Sequence, residues 1–127
     1  MGRILHFRQL EAWRESHQLV LMVYQVTKGF PGHERFGLVS QMRRAAVSVS
    51  ANIAEGFKRR GIQDKIRFYN MSEGSLEELK YFFILSKDLG YIPSNDDLMT
   101  QAETVGRLLN GLIASTERRR YGVGSKE

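Results

Sequence analysis

Residues 37–58 read GLVSQMRRAAVSVSANIAEGFK, and this stretch decides the fold. Leu38, Met42, Ala45, Ala46, Val49, Ile53 and Phe57 recur at spacings of three and four, which sets them on one face of a helix. The same stretch is rich in small side chains: Ala45, Ala46, Ser48, Ser50, Ala51, Ala54 and Gly56 leave little between this helix and its neighbours. Moving outward, turn chemistry breaks the chain around Pro31-Gly32, at Arg59-Arg60-Gly61 and from Gly90 to Asn95 across Pro93. Three breaks make four segments, near residues 8–29, 37–58, 62–89 and 95–119.

The other segments carry the same period. The first offers Leu10, Trp13, His17, Val20, Tyr24 and Thr27; the third Ile66, Tyr69, Leu76, Leu79, Phe83, Ser86 and Leu89; the fourth Leu98, Ala102, Val105, Leu109, Leu112 and Thr116. Short connections make consecutive helices antiparallel, so the sequence predicts an all-α, up-down antiparallel four-helix bundle with rods of roughly 30–40 Å. Gly90 suits a left-handed helix end, and Ser94, Asn95, Asp96 or Asp97 can cap the fourth helix. Gly74 and Ser75 form a small patch matching that of the second helix. An interior glycine costs about 1 kcal/mol relative to alanine unless packing needs the space, so a close crossing of the second and third helices is expected. Asn52, Glu55 and Glu78 flank these patches, and a bond from Asn52 to Glu78 across the crossing would fix register.

At 127 residues the chain reads as one domain, with disorder expected at residues 1–6 and 121–127. Apolar residues make up 42% and charged residues 26%, the balance of a globular protein. The longest apolar run, Leu19–Val23, is five residues, far short of a membrane span. The first residues hold no uninterrupted apolar region, and a cytoplasmic location is expected. There is no cysteine, which removes disulfides, thiolate metal sites and cysteine nucleophiles. His6, His17 and His33 have no partners at metal-ligand spacing, and no phosphate-binding glycine loop occurs. His17 reads as a packed, hydrogen-bonded core histidine, and Glu73, Glu77 and Glu78 as a solvated face. The expectation is therefore a non-catalytic protein with no metal and no cofactor.

Leu19–Val23 and Phe82–Leu85 are apolar all the way round, whereas a bundle helix needs one buried stripe; covering by other copies of the chain is expected. The formal charge of +5 is polarised. Residues 1–60 hold ten Lys or Arg against four Asp or Glu, residues 61–127 nine against ten. An up-down bundle would gather Arg3, Arg8, Lys58, Arg59, Arg60, Lys65, Arg67, Arg118, Arg119 and Arg120 at one tip. Two basic triplets exceed what the helix C-terminal dipoles call for, and such a tip can bind phosphates. Arg43 and Arg44 are a second candidate patch, for nucleic acid or for contacts between subunits.

Phe30-Pro31, Glu34-x-Phe36-Gly37-Leu38, Gln41 to Ala46, Ser48-Val49-x-x-Asn52-Ile53-Ala54-Glu55-Gly56 and Gly74-Ser75-Leu76-x-Glu78-Leu79 together resemble the four-helix-bundle proteins encoded within intervening sequences of bacterial 23S ribosomal RNA genes. The resemblance implies a bacterial protein and a homopentameric ring. A related branch, the accessory variability determinants of diversity-generating retroelements, is similar in fold and implies RNA or DNA and a reverse transcriptase as partners. The family name records where some of the genes sit and does not make the proteins ribosomal. Ser48, Asn52, Glu55, Gly56, Gly74, Ser75 and Glu78 are carried over as motif positions with a structural role. Two functions compete on the sequence: a nucleic-acid-binding oligomer held through the basic tip, and a scaffold that recruits a protein partner.

Overall fold

The computed structural model describes residues 3–120, and within them four helices account for most of the chain: α1 (Glu11–Thr27), α2 (Leu38–Lys58), α3 (Ile62–Asp88) and α4 (Asp96–Arg120). No strand occurs among the described residues. α1 packs on α2, α2 on α3, α3 on α4 and α4 back on α1, while the diagonal pairs do not meet. This closed cycle with short connections is an up-down four-helix bundle, as the period predicted. The core runs along its axis through Leu19, Val23, Met42, Val49, Ile53, Leu79, Phe83, Ala102, Val105 and Leu109, all essentially inaccessible to solvent.

The helix ends follow from local chemistry. α1 begins three residues later than the period suggested, because residues Phe7–Gln9 form a separate 3-10 turn. Gln9 Oε1 accepts from Leu5 N (2.7 Å) and His6 N (2.9 Å), and Arg14 donates to Gln9 O (2.8 Å). Leu5 and His6 are thus tied down, where disorder was expected; the expectation for residues 1–2 and 121–127 lies outside the described residues. At the start of α2, Glu34 Oε1 accepts from Leu38 N at 3.1 Å. Its other oxygen accepts from Tyr91 Oη at 2.8 Å, which ties the α1–α2 turn to the α3–α4 turn. α3 ends at Gly90, whose φ of +78° is the only positive one among the described residues. There Gly90 N donates to Lys87 O and Tyr91 N to Ser86 O, both at 2.9 Å, the double bond pattern that a left-handed cap permits. Ser94 Oγ then accepts from Asp96 N, and Asn95 Nδ2 reaches back to Phe83 O.

In α1 the buried stripe is rotated from the expected one. Ala12, Ser16, Leu19, Val20, Val23 and Thr27 face inward, while His17 and Tyr24 are exposed. His17 is therefore not a core histidine; its ring stacks on Trp13 at 5.0 Å with an interplanar angle of 6°. Ser16 decides the rotation: its hydroxyl donates to Trp13 O and lies 2.8 Å from Ser50 Oγ in α2, so a polar residue is buried because it is satisfied.

The α2–α3 contact is the most extensive of the four, in line with the expected close crossing. Its details differ. Gly56 marks the closest approach, since a Cβ built there would stand 2.6 Å from Tyr69 Cε1, 2.9 Å from Tyr69 Cδ1 and 3.1 Å from Phe68 Cβ. Gly74 faces open space and takes no part in the crossing. Asn52 does not reach Glu78, which is exposed; Nδ2 of Asn52 donates to Ser48 O (2.9 Å) and Ser48 Oγ (3.0 Å), one turn earlier in its own helix. Near these positions the bonds that cross between the helices are Ser48 Oγ to Ser75 Oγ at 2.8 Å and Ser72 Oγ donating to Val49 O at 2.8 Å. Short hydroxyls fit the narrow gap that a longer Asn–Glu pair would have forced open.

Candidate nucleic-acid interface at the basic pole

The end of α2, the connection of residues 59–61, the start of α3 and the end of α4 meet at one pole. Lys65, in the first turn of α3, donates from Nζ to Phe57 O (2.6 Å), a carbonyl at the end of α2, and at 3.4 Å to Gly56 O, which also accepts from Arg59 N. Its ammonium also lies 5.3 Å from the Phe57 ring centroid. Burial holds the Lys65 pKa below its usual value, and the nearby positive charge of Arg119 adds to this. Burial likewise pushes the Tyr69 hydroxyl up to about 12, against a smaller opposing pull from Arg119. Antiparallel packing of α4 on α3 and α1 brings its last turn to the α2–α3 junction, so Arg118 and Arg119 share a pole with Lys58, Arg59 and Arg60.

Arg59 and Arg67 flank a common aromatic ring. The guanidinium of Arg59 sits over Phe68 at 4.4 Å and pairs with Glu55 at 3.1 Å; that of Arg67 sits over the same ring at 4.7 Å and bonds to Asp64 Oδ1 at 2.9 and 3.1 Å. Each carboxylate lies about one turn before its arginine in the chain, a local pairing that orients exposed cations at little gain in stability. Glu55, Lys58, Arg59, Arg60, Gly61 and Asp64 line a shallow open cleft here. Lys58, Arg60, Arg118 and Arg119 are exposed and make no ion pair among the described residues. Arg120 closes α4, and its side chain lies outside the described residues. Arg8 is exposed on the 3-10 turn, which packs against both α1 and α2.

Arg43 and Arg44 do not join the pole, from which about 15 helical residues, roughly 22 Å, separate them. Arg43 is committed to α1: Nε donates to Thr27 Oγ1 at 2.9 Å, Nη2 to Tyr24 O at 3.4 Å, and the guanidinium covers the Tyr24 ring at 4.6 Å. Arg44 points to solvent. Of the motif positions, Ser48, Asn52 and Ser75 form the hydroxyl–amide link between α2 and α3, Gly56 gives the close approach, Glu55 orients Arg59, and Gly74 and Glu78 face outward. Phe68 and Phe57, which support the cations, were not among the expected site residues. Their pairing crosses the α2–α3 turn, and no spacing within one helix reveals it. No cluster of His, Asp and Glu suited to a metal ion occurs among the described residues, and none of their helices is long and apolar enough to cross a membrane.

The fold and the pole together define an all-α bundle with a cationic end. Residues 8–111 match the model of the 23S rRNA-intervening sequence protein family, and the chain belongs to that family. The matched span includes Arg59, Arg60 and Arg67 and stops before Arg118. A comparison with curated proteins gave no match.

Proposed function

We propose that this protein is a non-catalytic, cytoplasmic homo-oligomer that binds RNA or another nucleic acid through its basic pole. The observation that carries the reading is the side-by-side placement of the α2–α3 junction and the end of α4, with Lys58, Arg60, Arg118 and Arg119 exposed and unpaired among the described residues. Helix-dipole compensation does not account for Lys58 and Arg60, because Lys65 already serves a carbonyl ending α2. What remains is a surface suited to phosphates, with affinity from charge neutralisation and little sequence preference.

Association with other copies is supported by exposed apolar side chains on two flanks. Leu21 and Tyr24 lie on α1, Met71, Tyr81 and Ile84 on α3, and these helices are diagonal in the bundle. Two unlike patches on opposite flanks fit head-to-tail packing around a closed ring, and a pentamer is the count the family resemblance implies. The alternative is a scaffold for a protein partner such as a reverse transcriptase, favoured by Phe36, which is 88% exposed at the far pole.

Fluorescence anisotropy with a labelled structured RNA at 50 and 200 mM salt tests the reading. Four phosphate contacts through single-stranded segments predict roughly a fiftyfold loss of affinity over that range. Combined alanine replacement of Lys58, Arg60, Arg118 and Arg119 is expected to abolish most of the signal. Binding that ignores salt, or that survives the replacements, would favour the scaffold. Light scattering of the same sample gives the subunit count, and a monomer would remove the oligomeric part.

A further inference from the structure

Arg59 and Arg67 differ from the other cations of the pole. Lys58, Arg60 and Arg118 project into solvent, whereas the guanidinium carbons of these two lie over the Phe68 ring at 4.4 and 4.7 Å. Phe68 is only 7% exposed, so the ring itself has no face to offer a ligand. An edge of each guanidinium is also taken, by Glu55 for Arg59 and by Asp64 for Arg67. Yet the side chains stay 40% and 60% exposed. A guanidinium with a carboxylate on its edge is poorly placed to fork onto a phosphate. A guanidinium stacked flat on the ring and held at its edge would present its outer face, and such a plane is a stacking surface for a nucleobase.

From this geometry we infer that the pole takes single-stranded RNA, with unpaired bases stacked on Arg59 and Arg67 while Lys58, Arg60 and Arg118 hold the phosphates. The inference rests on the nucleic-acid reading given above and adds to it the class of ligand. In a duplex both faces of each internal base are covered by its neighbours, so a paired stem offers these planes nothing; a loop or an open strand does. The carboxylates act in the same direction, since they lower the local charge beside the stacking planes and leave the phosphates to the cations around them.

The test compares three labelled probes at one salt concentration: a mixed-sequence single-stranded RNA, an abasic strand with the same number of phosphates, and a fully paired RNA duplex of equal length. The single strand should bind about twenty-five-fold more tightly than the abasic strand, the ratio expected from two stacked bases at about fivefold each. Arg59→Lys and Arg67→Lys keep the charge and remove the plane; each should weaken single-strand binding about fivefold and leave the abasic strand unaffected. Thermal melts check that the variants are folded, and the probe comparison on the unaltered protein stands without them. Equal affinity for the first two probes, preference for the duplex, or lysine variants equal to the parent would each overturn base stacking while leaving the phosphate-binding pole in place. Failure of all three probes to bind would overturn both.

Discussion

Gly56→Ala puts the sharpest strain on this account of the fold. In most exposed helical positions the change stabilises, because alanine is favoured over glycine by about 1 kcal/mol. Here the new methyl would sit 2.6 and 2.9 Å from two ring carbons of Tyr69, against an ordinary carbon contact of about 3.5–4.0 Å. The ring would have to retreat by about 1 Å, and at 1% exposure Tyr69 has neighbours on every side. Overpacking of this kind costs about 3 kcal/mol at the upper end of its usual range. After subtracting the propensity gain, a net loss of about 2 kcal/mol is expected, or roughly 8 °C in Tm for a chain of this size. Gly74→Ala is the control, since that glycine faces open space and should gain up to about 1 kcal/mol. Urea unfolding of both variants, with the slope checked for constancy, measures the two effects. Repeating Gly56→Ala in a Tyr69→Ala background should remove most of the penalty and leave only the contact with Phe68 Cβ at 3.1 Å. A Gly56→Ala protein as stable as the parent would refute the close α2–α3 approach.

Other perturbations separate stability from binding. Ser48→Ala removes one of the two acceptors of Asn52 and the partner of Ser75 together and should cost about 1–2 kcal/mol in denaturant melts. Arg43→Met cuts the link to Thr27 and should lower stability by about 1–2 kcal/mol while RNA affinity stays unchanged, which sorts Arg43 from the pole. Tyr69 titrates near 10 when unfolded and at about 12 in the bundle, so the folded state keeps its proton longer. Its contribution is intact below pH 10 and is lost as pH rises towards 12, by no more than about 2 kcal/mol once solvent screening is allowed for; Tyr69→Phe should flatten that slope in melts at pH 9 to 11. The Glu34 carboxyl is held below its ordinary pKa by the Tyr91 hydroxyl and then by Leu38 N–H. A lowered acid contributes above its unfolded pKa and loses that contribution as pH falls through the folded one, so Glu34→Gln should lessen acid sensitivity between about pH 5 and 3 in thermal melts.

The period of the apolar residues was enough to find α2, α3 and α4 nearly to the residue, and Gly90 and Ser94 marked their ends because each does a job that few residue types can do. α1 was harder to orient. Leu19–Val23 is apolar on every side, so two stripes fitted the pattern, and only the Ser16–Ser50 hydroxyl pair, a contact between helices, distinguishes them. The small residues of α2 announced a close crossing, yet sequence could not tell which glycine stood at it, since Gly56 and Gly74 look alike until Tyr69 and Phe68 are set in space. The gathering of cations followed from antiparallel topology alone. Their division into supported planes and free charges did not, because Phe68 meets Arg59 only across the turn.

That turn is itself short and fastened: Arg59 N donates to Gly56 O at 3.2 Å, and Lys65 bolts the first coil of α3 to the last of α2. For the strand proposed above to bind here, this part of the protein would have no segment left to fold. On that proposal the ordering cost would fall mainly on the incoming strand. Inserting a few glycines after Arg60 would hand that cost back to the protein, slowing productive docking without removing a single charge.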